Sequence, residues 1–308
     1  MPQREDAYYE LVVNHPITHW DAPTFILRPE VDMVVSEEVS RDFIRRIDRQ
    51  GPGGDQETLK ATFHLPVLGA NARIADIGCG TGRQTAVLAE RFDCKIDAVD
   101  LFPEMLDGLM CRCMQRGVAD KVDPIKASMD ALPFKPETYD LIWAEGSIFI
   151  IGYEKGLRYW RQFLKPGGFV VVSECSWLGD KRPQNMSWIL DNLPEIDTID
   201  NKNRQMQKAG YEPYAHFTLP EHCWTDNYYA HMPKAMDAFL TDHPDNPSAQ
   251  IFVERMKEEM AWFPQRNWRK AACAQSWHSP PLPPCLTQAQ SERRAGGAGL
   301  QLVRQAGK

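Results

Sequence analysis

From residue 73 to residue 173 the chain alternates short β-branched runs with stretches whose apolar residues recur at helical spacing. Arg73-Ile74-Ala75-Asp76-Ile77 and Lys95-Ile96-Asp97-Ala98-Val99 read as strands, with Asp123-Pro124-Ile125-Lys126-Ala127 as a shorter third. Residues 139–144 and 168–173 supply two more. Helices are expected from Arg83 to Arg91, Glu104 to Arg116 and Lys155 to Phe163. Parallel strands need a connection long enough for a crossover helix. This order therefore predicts an α/β fold with a doubly wound, mostly parallel sheet.

The pattern changes in residues 181–262. A helical stretch from Pro183 to Asn192 precedes a strand from Tyr211 to Leu219 and an aromatic loop, Cys223-Trp224-Thr225-Asp226-Asn227-Tyr228-Tyr229. Helices from Lys234 to Leu240 and Ser248 to Trp262 follow. These elements are expected to cover the site or to complete the sheet edge. Beyond Trp262 the periodicity stops. From Pro264 onward seven basic residues face the single acid Glu292, and Pro280-Pro281-Leu282-Pro283-Pro284 and a Gly-Ala run near Gly296 follow. Such sequence reads as a disordered or atypical tail. The expected organisation is an extension (1–40), one domain with lid elements (41–262) and a tail (263–308).

Bulk properties narrow this only a little. A chain of 308 residues has room for one α/β domain plus an appendage. Its net charge of −7 argues against a nucleic-acid partner. No run approaches the ~20 apolar residues of a membrane span. Met1-Pro2-Gln3-Arg4-Glu5-Asp6 is too polar for a signal peptide. The eight cysteines form no CxxC pair and no zinc spacing with histidine, so free thiols in the cytoplasm are expected, with no metal.

The chemistry concentrates where the first strand ends. Asp76-Ile77-Gly78-Cys79-Gly80-Thr81-Gly82 leaves a strand and enters a helix, and its glycines let a cofactor approach the backbone. Unpaired N–H groups at the helix start face the same way. Asp100 closes the second strand, where a carboxylate can accept both hydroxyls of a ribose. Ser128-Met129-Asp130 follows the third strand: the Asp can accept from an adenine amino group, and Met129 or Leu132 can wall the ring. Trp143-Ala144-Glu145-Gly146 ends the fourth strand at the sheet edge where open α/β folds place ligands.

Together with Leu164-Lys165-Pro166-Gly167-Gly168, these residues resemble the class I S-adenosylmethionine (SAM)-dependent methyltransferases over about residues 72–175. A closer resemblance runs from about Phe43 to Trp262. Arg49-Gln50-Gly51-Pro52-Gly53 with Thr58-Leu59-Lys60-Ala61 is similar to the N-terminal cofactor loop of bacterial small-molecule methyltransferases near the ubiquinone/menaquinone-biosynthesis enzymes. The sequence after Trp262 departs from that family's closing antiparallel strand, for which Gly299-Leu300-Gln301-Leu302-Val303-Arg304 is the substitute on offer. The resemblance implies SAM as cofactor, held by Gln50, Gly51, Pro52, Asp76, Gly78, Gly80, Gly82, Gln84, Asp100, Leu101, Ser128, Met129, Asp130 and Glu145. It implies methyl transfer to a small-molecule acceptor and is compatible with a homodimer.

Transfer from a sulfonium is an in-line displacement, so alignment is the protein's main task. A base is needed only for a protonated acceptor. Glu145 and Glu174 come first, because they follow adjacent strands at the ligand-bearing edge. His216, His222 and Tyr153 come next, and His15, His19 and His231 have weaker claims. Trp177, Trp188, Trp224, Tyr228 and Tyr229 read either as an acceptor wall or as lid core. Amino-methylating nucleic-acid enzymes usually place Asn or Asp before Pro-Pro-aromatic where this chain has Glu145-Gly146-Ser147. The alternatives to a small-molecule enzyme are a methyltransferase acting on protein or RNA, and a SAM-binding protein without catalysis.

Overall fold

The computed structural model describes residues 37–178, 193–262 and 271–279. Strands β1 (Arg73–Ile77), β2 (Lys95–Asp100), β3 (Val122–Lys126), β4 (Tyr139–Glu145) and β5 (Leu164–Trp177) pair in parallel. A two-residue β6 (Asp197–Thr198) adds to the end of β5. β7 (Glu212–Thr218) and β8 (Ala271–Ser279) complete the order β3-β2-β1-β4-β5-β8-β7, with β8 antiparallel to both its neighbours. The chain steps outward from β1 to β3, then returns to place β4 on β1's other side. That reversal opens a crevice at the carboxyl ends of β1 and β4.

The central strands are apolar on both sides because both are covered. Ile74, Ile96 and Leu141 pack with Trp143 against Leu88 of α3 (Arg83–Arg91) and Leu109 of α4 (Pro103–Gln115). Ile77, Ile142, Val170 and Val172 pack on the opposite face against Leu157 and Trp160 of α5 (Tyr153–Trp160) and Met206 of α6 (Ile199–Lys208). Trp143 and Trp160 are fully buried, and burial of a large apolar side chain contributes ~1.5–3 kcal/mol.

A third apolar cluster lies among helices. Phe43 of α1 (Glu37–Ile44) meets Phe239 of α8 (Met232–Asp242) edge-on at 5.4 Å and Phe252 of α9 (Pro247–Trp262) at 4.9 Å. Two short helices, α2 (Asp55–Thr62) and α7 (His222–Thr225), lie close to the crevice. None of the helices among the described residues is long and apolar enough to cross a membrane.

The doubly wound sheet is as expected, and several elements are additional. Helices α1, α2 and α6 lie where no element is expected, and α7 forms inside the aromatic loop. The antiparallel neighbour of β5 is β8. It pairs with β5 from Val170↔His278 to Trp177↔Ala271, inside the stretch expected to be tail. A sheet edge supplies backbone hydrogen bonds even to a strand poor in β-branched residues, such as Ala271-Ala272-Cys273-Ala274. The helix expected at Pro183–Asn192 and the strand offered at Gly299–Arg304 lie outside the described residues, as do His15, His19 and Trp188.

Candidate active site

Beyond β1 the backbone turns sharply. Gly78, Gly80 and Gly82 have φ of 76°, 54° and 78°, a left-handed region costly for residues with a Cβ. Space adds a second constraint. A Cβ on Gly78 would lie 2.5 Å from Ser147 Cβ, and one on Gly80 would lie 2.6 Å from Gln50 Oε1. The turn is tied to β2, since Gly78 and Cys79 N–H both donate to the Val99 carbonyl (2.8 and 2.9 Å).

The Asp100 carboxylate faces this turn. Its Oδ2 accepts from Gly80 N–H (2.9 Å) and its Oδ1 from Phe102 N–H (3.0 Å), while burial raises its pKa. Each oxygen keeps a lone pair for a further donor. Leu101 is half-buried beside it. Asp76 and Gln84 lie deeper. Asp76 is fully buried, accepts from Thr85 Oγ1 (2.6 Å) and is pushed up to about 7 by burial. Gln84 Nε2 donates to the Cys79 carbonyl (3.2 Å). Both therefore brace the turn from beneath.

The segment after α1 lies across the turn. Gln50 Oε1 accepts from Thr81 N–H (3.3 Å), and Gln50 Nε2 donates to the Ile47 carbonyl (2.8 Å). Asp48 binds Arg83 and Arg112, and Arg112 Nε donates to the Thr81 carbonyl (2.9 Å). Gly51 and Pro52 are half-buried. Gly53 N–H donates to the Cys223 carbonyl (3.3 Å) and Asn227 Nδ2 to the Gly53 carbonyl (2.8 Å), so the loop joins the turn to α7.

After β3, Ser128 Oγ donates to Asp130 Oδ1 (2.5 Å), and the Asp130 side chain stays exposed. The Met129 carbonyl accepts from Trp160 Nε1 (2.8 Å). Met129 Cε reaches the turn, 3.3 Å from where a Gly78 Cβ would sit.

Glu145 and Glu174 diverge. Glu145 is in register with Ser173, so Glu174, the next residue on β5, points to the opposite face of the sheet. Glu145 accepts from Thr58 Oγ1 (2.7 Å) and Trp143 Nε1 (3.0 Å), and Arg49 lies 3.4 Å away. Glu174 is 4% exposed and pushed up to about 7 by burial, which outweighs Lys202 at 3.8 Å. Its Oε2 has no hydrogen-bond partner among the described residues. Lys202 Nζ also lies 4.2 Å from the centre of the Tyr153 ring.

The other candidates are dispersed. His216 is exposed on β7, two strands from β5, and His231 is exposed before α8. His222 Nε2 sits 3.2 Å from Glu57. Trp224 and Tyr228 each lie tilted against Tyr229, and Tyr229 Oη donates to Glu259 (2.8 Å), which favours the lid-core reading. Trp177 is buried at the end of β5.

Residues 74–168 match the family model described as a methyltransferase domain. That span of the methyltransferase domain takes in the glycine turn, Asp100, Asp130 and Glu145. Over 123 residues the chain is 30% identical to the geranyl diphosphate 2-C-methyltransferase of Saccharopolyspora erythraea, covering 39% of this chain and 43% of that enzyme. Over 160 residues it is 25% identical to a phosphoethanolamine N-methyltransferase of Triticum aestivum, covering 51% and 31%. The chain thus spans less than half the length of either relative. A SAM-dependent methyltransferase from Geobacter sulfurreducens, solved with S-adenosyl-L-homocysteine, is similar at a TM-score of 0.69 and 16% identity, over 81% of this chain and all of that one. The chain has the Rossmann-like fold of the SAM-dependent methyltransferases.

Within the matched span and the loop that precedes it, Gln50, the three glycines, Asp100 and Met129 converge on one mouth. Arg49, Thr58 and Lys202 were not singled out as site residues from the sequence. Arg49 precedes the Gln50–Gly53 loop and Thr58 lies on α2, and nothing local links them to Glu145. Lys202 carries no signal, since a lysine in a polar helix reads as solvated.

Proposed function

We propose that the chain transfers a methyl group from SAM to a small-molecule acceptor. The observation that carries this is the Asp100 carboxylate, anchored to a backbone N–H inside a turn whose three glycines are all left-handed, with lone pairs left for two adjacent hydroxyls. SAM supplies a methyl on a sulfonium: the acceptor's lone pair forms the new bond as the S–CH3 bond breaks, and a neutral thioether leaves. Asp100 binds the ribose, the turn backbone lies against the methionine part, Met129 walls the adenine and Asp130 accepts from its amino group. Gln50 and the loop to Gly53 close over them and exclude water.

Glu145, locked by Arg49, is a positioning residue. Glu174 faces the opposite side of the sheet and is buried against Lys202, so it acts as a positioning residue behind the site. The acceptors for which the two relatives are named, geranyl diphosphate and phosphoethanolamine, support a small molecule. The Arg49–Gly53 loop supports membership of the bacterial group near the ubiquinone/menaquinone-biosynthesis enzymes, and the free thiols among the described residues support a cytoplasmic location.

Isothermal titration with SAM and with its demethylated product tests the cofactor. Saturable binding is expected, and folded protein that binds neither ends the proposal. Asp100→Ala should weaken binding at least tenfold, whereas unchanged affinity refutes the ribose assignment. Incubating a metabolite extract with methyl-labelled SAM then identifies the acceptor. With that acceptor, Glu174→Gln should leave SAM affinity and the pH profile of kcat unchanged, whereas loss of a rise through pH 7 would make Glu174 a base that the acceptor reaches.

A further inference from the structure

Spacing along the chain suggests no metal site, yet the fold brings together three donors of different kinds. Glu57 on α2 and His222 and Cys223 on α7 have donor atoms all within 4.8 Å of one another. Glu57 is 7% exposed, and its Oε2 has no hydrogen-bond partner among the described residues. The nearest further donor to the Glu57 carboxylate is the weak Cys223 S–H, a contact that a bound ion would replace. Cys223 is fully buried, while His222 is 47% exposed and leaves a route in from solvent. We propose that Glu57, His222 and Cys223 form a three-ligand site for a zinc-class divalent ion.

The donor set fits that class. A thiolate with an imidazole and a carboxylate suits zinc better than magnesium or calcium, which prefer oxygen alone. Tetrahedral zinc holds such ligand atoms roughly 3.5 Å apart. Glu57 and His222 are already at 3.2 Å, so a small adjustment of Cys223 completes the set. On binding, the S–H bond breaks, its proton passes to solvent, and the sulfur replaces a water on the ion. Three protein ligands leave one position for water or a ligand atom. The ion would staple α2 to α7 beside Gly53, whose N–H and carbonyl already bind Cys223 and Asn227. It would thereby hold the loop that lies over the glycine turn.

The competing reading is that Glu57, at the third position of α2, reaches back toward the helix start and needs no ion. Titration of the full chain with Zn2+ alone, after chelator treatment, separates the two. One equivalent should bind, and His222→Ala, Cys223→Ser and Glu57→Gln should each weaken it about 100-fold. Cys111→Ser, which alters an exposed thiol elsewhere, should leave it unchanged. Co2+ in place of Zn2+ should give a thiolate charge-transfer band that Cys223→Ser abolishes. His222 is half-exposed, so His222→Ala tests the site even if Cys223→Ser does not fold. No binding by folded protein overturns the site, and so does binding that all three ligand variants retain.

Discussion

Arg49 and Glu145 have side chains only 8% and 5% exposed, and they meet at 3.4 Å. Neither charge is tolerable alone at that depth, because removing one partner leaves the other desolvated. Arg49→Ala should therefore destabilise the protein by about 3–5 kcal/mol in urea unfolding. The double variant Arg49→Met/Glu145→Gln should recover most of that loss. A single-variant effect below about 1 kcal/mol would mean that water reaches the pair. This pair marks where sequence reasoning stops at the residue scale. The glycines and Asp100 are legible because a strand, a turn and a helix must follow one another at short range. Arg49 and Glu145 are 96 positions apart, and only the folded sheet makes them neighbours. The same holds for Glu174 and Lys202. Adjacency of strands suggested a matched pair of carboxylates in Glu145 and Glu174, and alternation along the strand sends them to opposite faces.

At the scale of elements, β1 and α3 fall at their expected bounds, and the neighbouring strands within a few residues. Their alternation of apolar runs and turns is local. Helix α1 had a readable signal, since Val39, Phe43 and Ile47 recur at four-residue spacing and are all buried. Helix α6 buries only Lys202 and Met206, so its polar sequence hides it, although Thr198 caps its start by accepting from Asn201 N–H (3.3 Å). Strand β8 is the largest surprise. Its small and polar residues resemble a tail, and its strand character comes from two neighbours that are distant in sequence. Truncation after Trp262 should expose the paired edges of β5 and β7 together. Such edges recruit other chains, so the truncated protein should aggregate or lose its cooperative thermal transition. A monomeric truncation with the full-length Tm would show that β8 contributes nothing to the sheet.

For the whole molecule, burial of acids sets a pH dependence. Asp76 and Glu174 are both pushed up to about 7, from ordinary values of 3.8 and 4.5. Below about pH 4 both states hold these protons. Between about pH 4 and 7 the unfolded chain releases them while the folded chain keeps them, so their contribution to stability falls as pH rises and levels off above 7. Other acids act oppositely. Asp42, despite its burial, is held below the usual range by His243 and Arg46, as is Asp48 by Arg112 and Arg83, and their stabilisation fades on acidification. The informative measurement is thus a difference. Glu174→Gln should lose less stability between pH 5 and 7.5 than the parent does in denaturant titrations. Equal slopes would place the Glu174 carboxyl in water. The position of β8 has one more consequence, for the order in which the molecule is made. Residues 271–279 leave the ribosome after every other strand described, yet they occupy a slot inside the sheet and not at its rim. Until they emerge, the nascent chain can assemble β1 to β5, but β7 has no ladder to join. Completion of the fold is therefore a late, long-range event, and the half-built sheet keeps an open flank until residues 271–279 arrive.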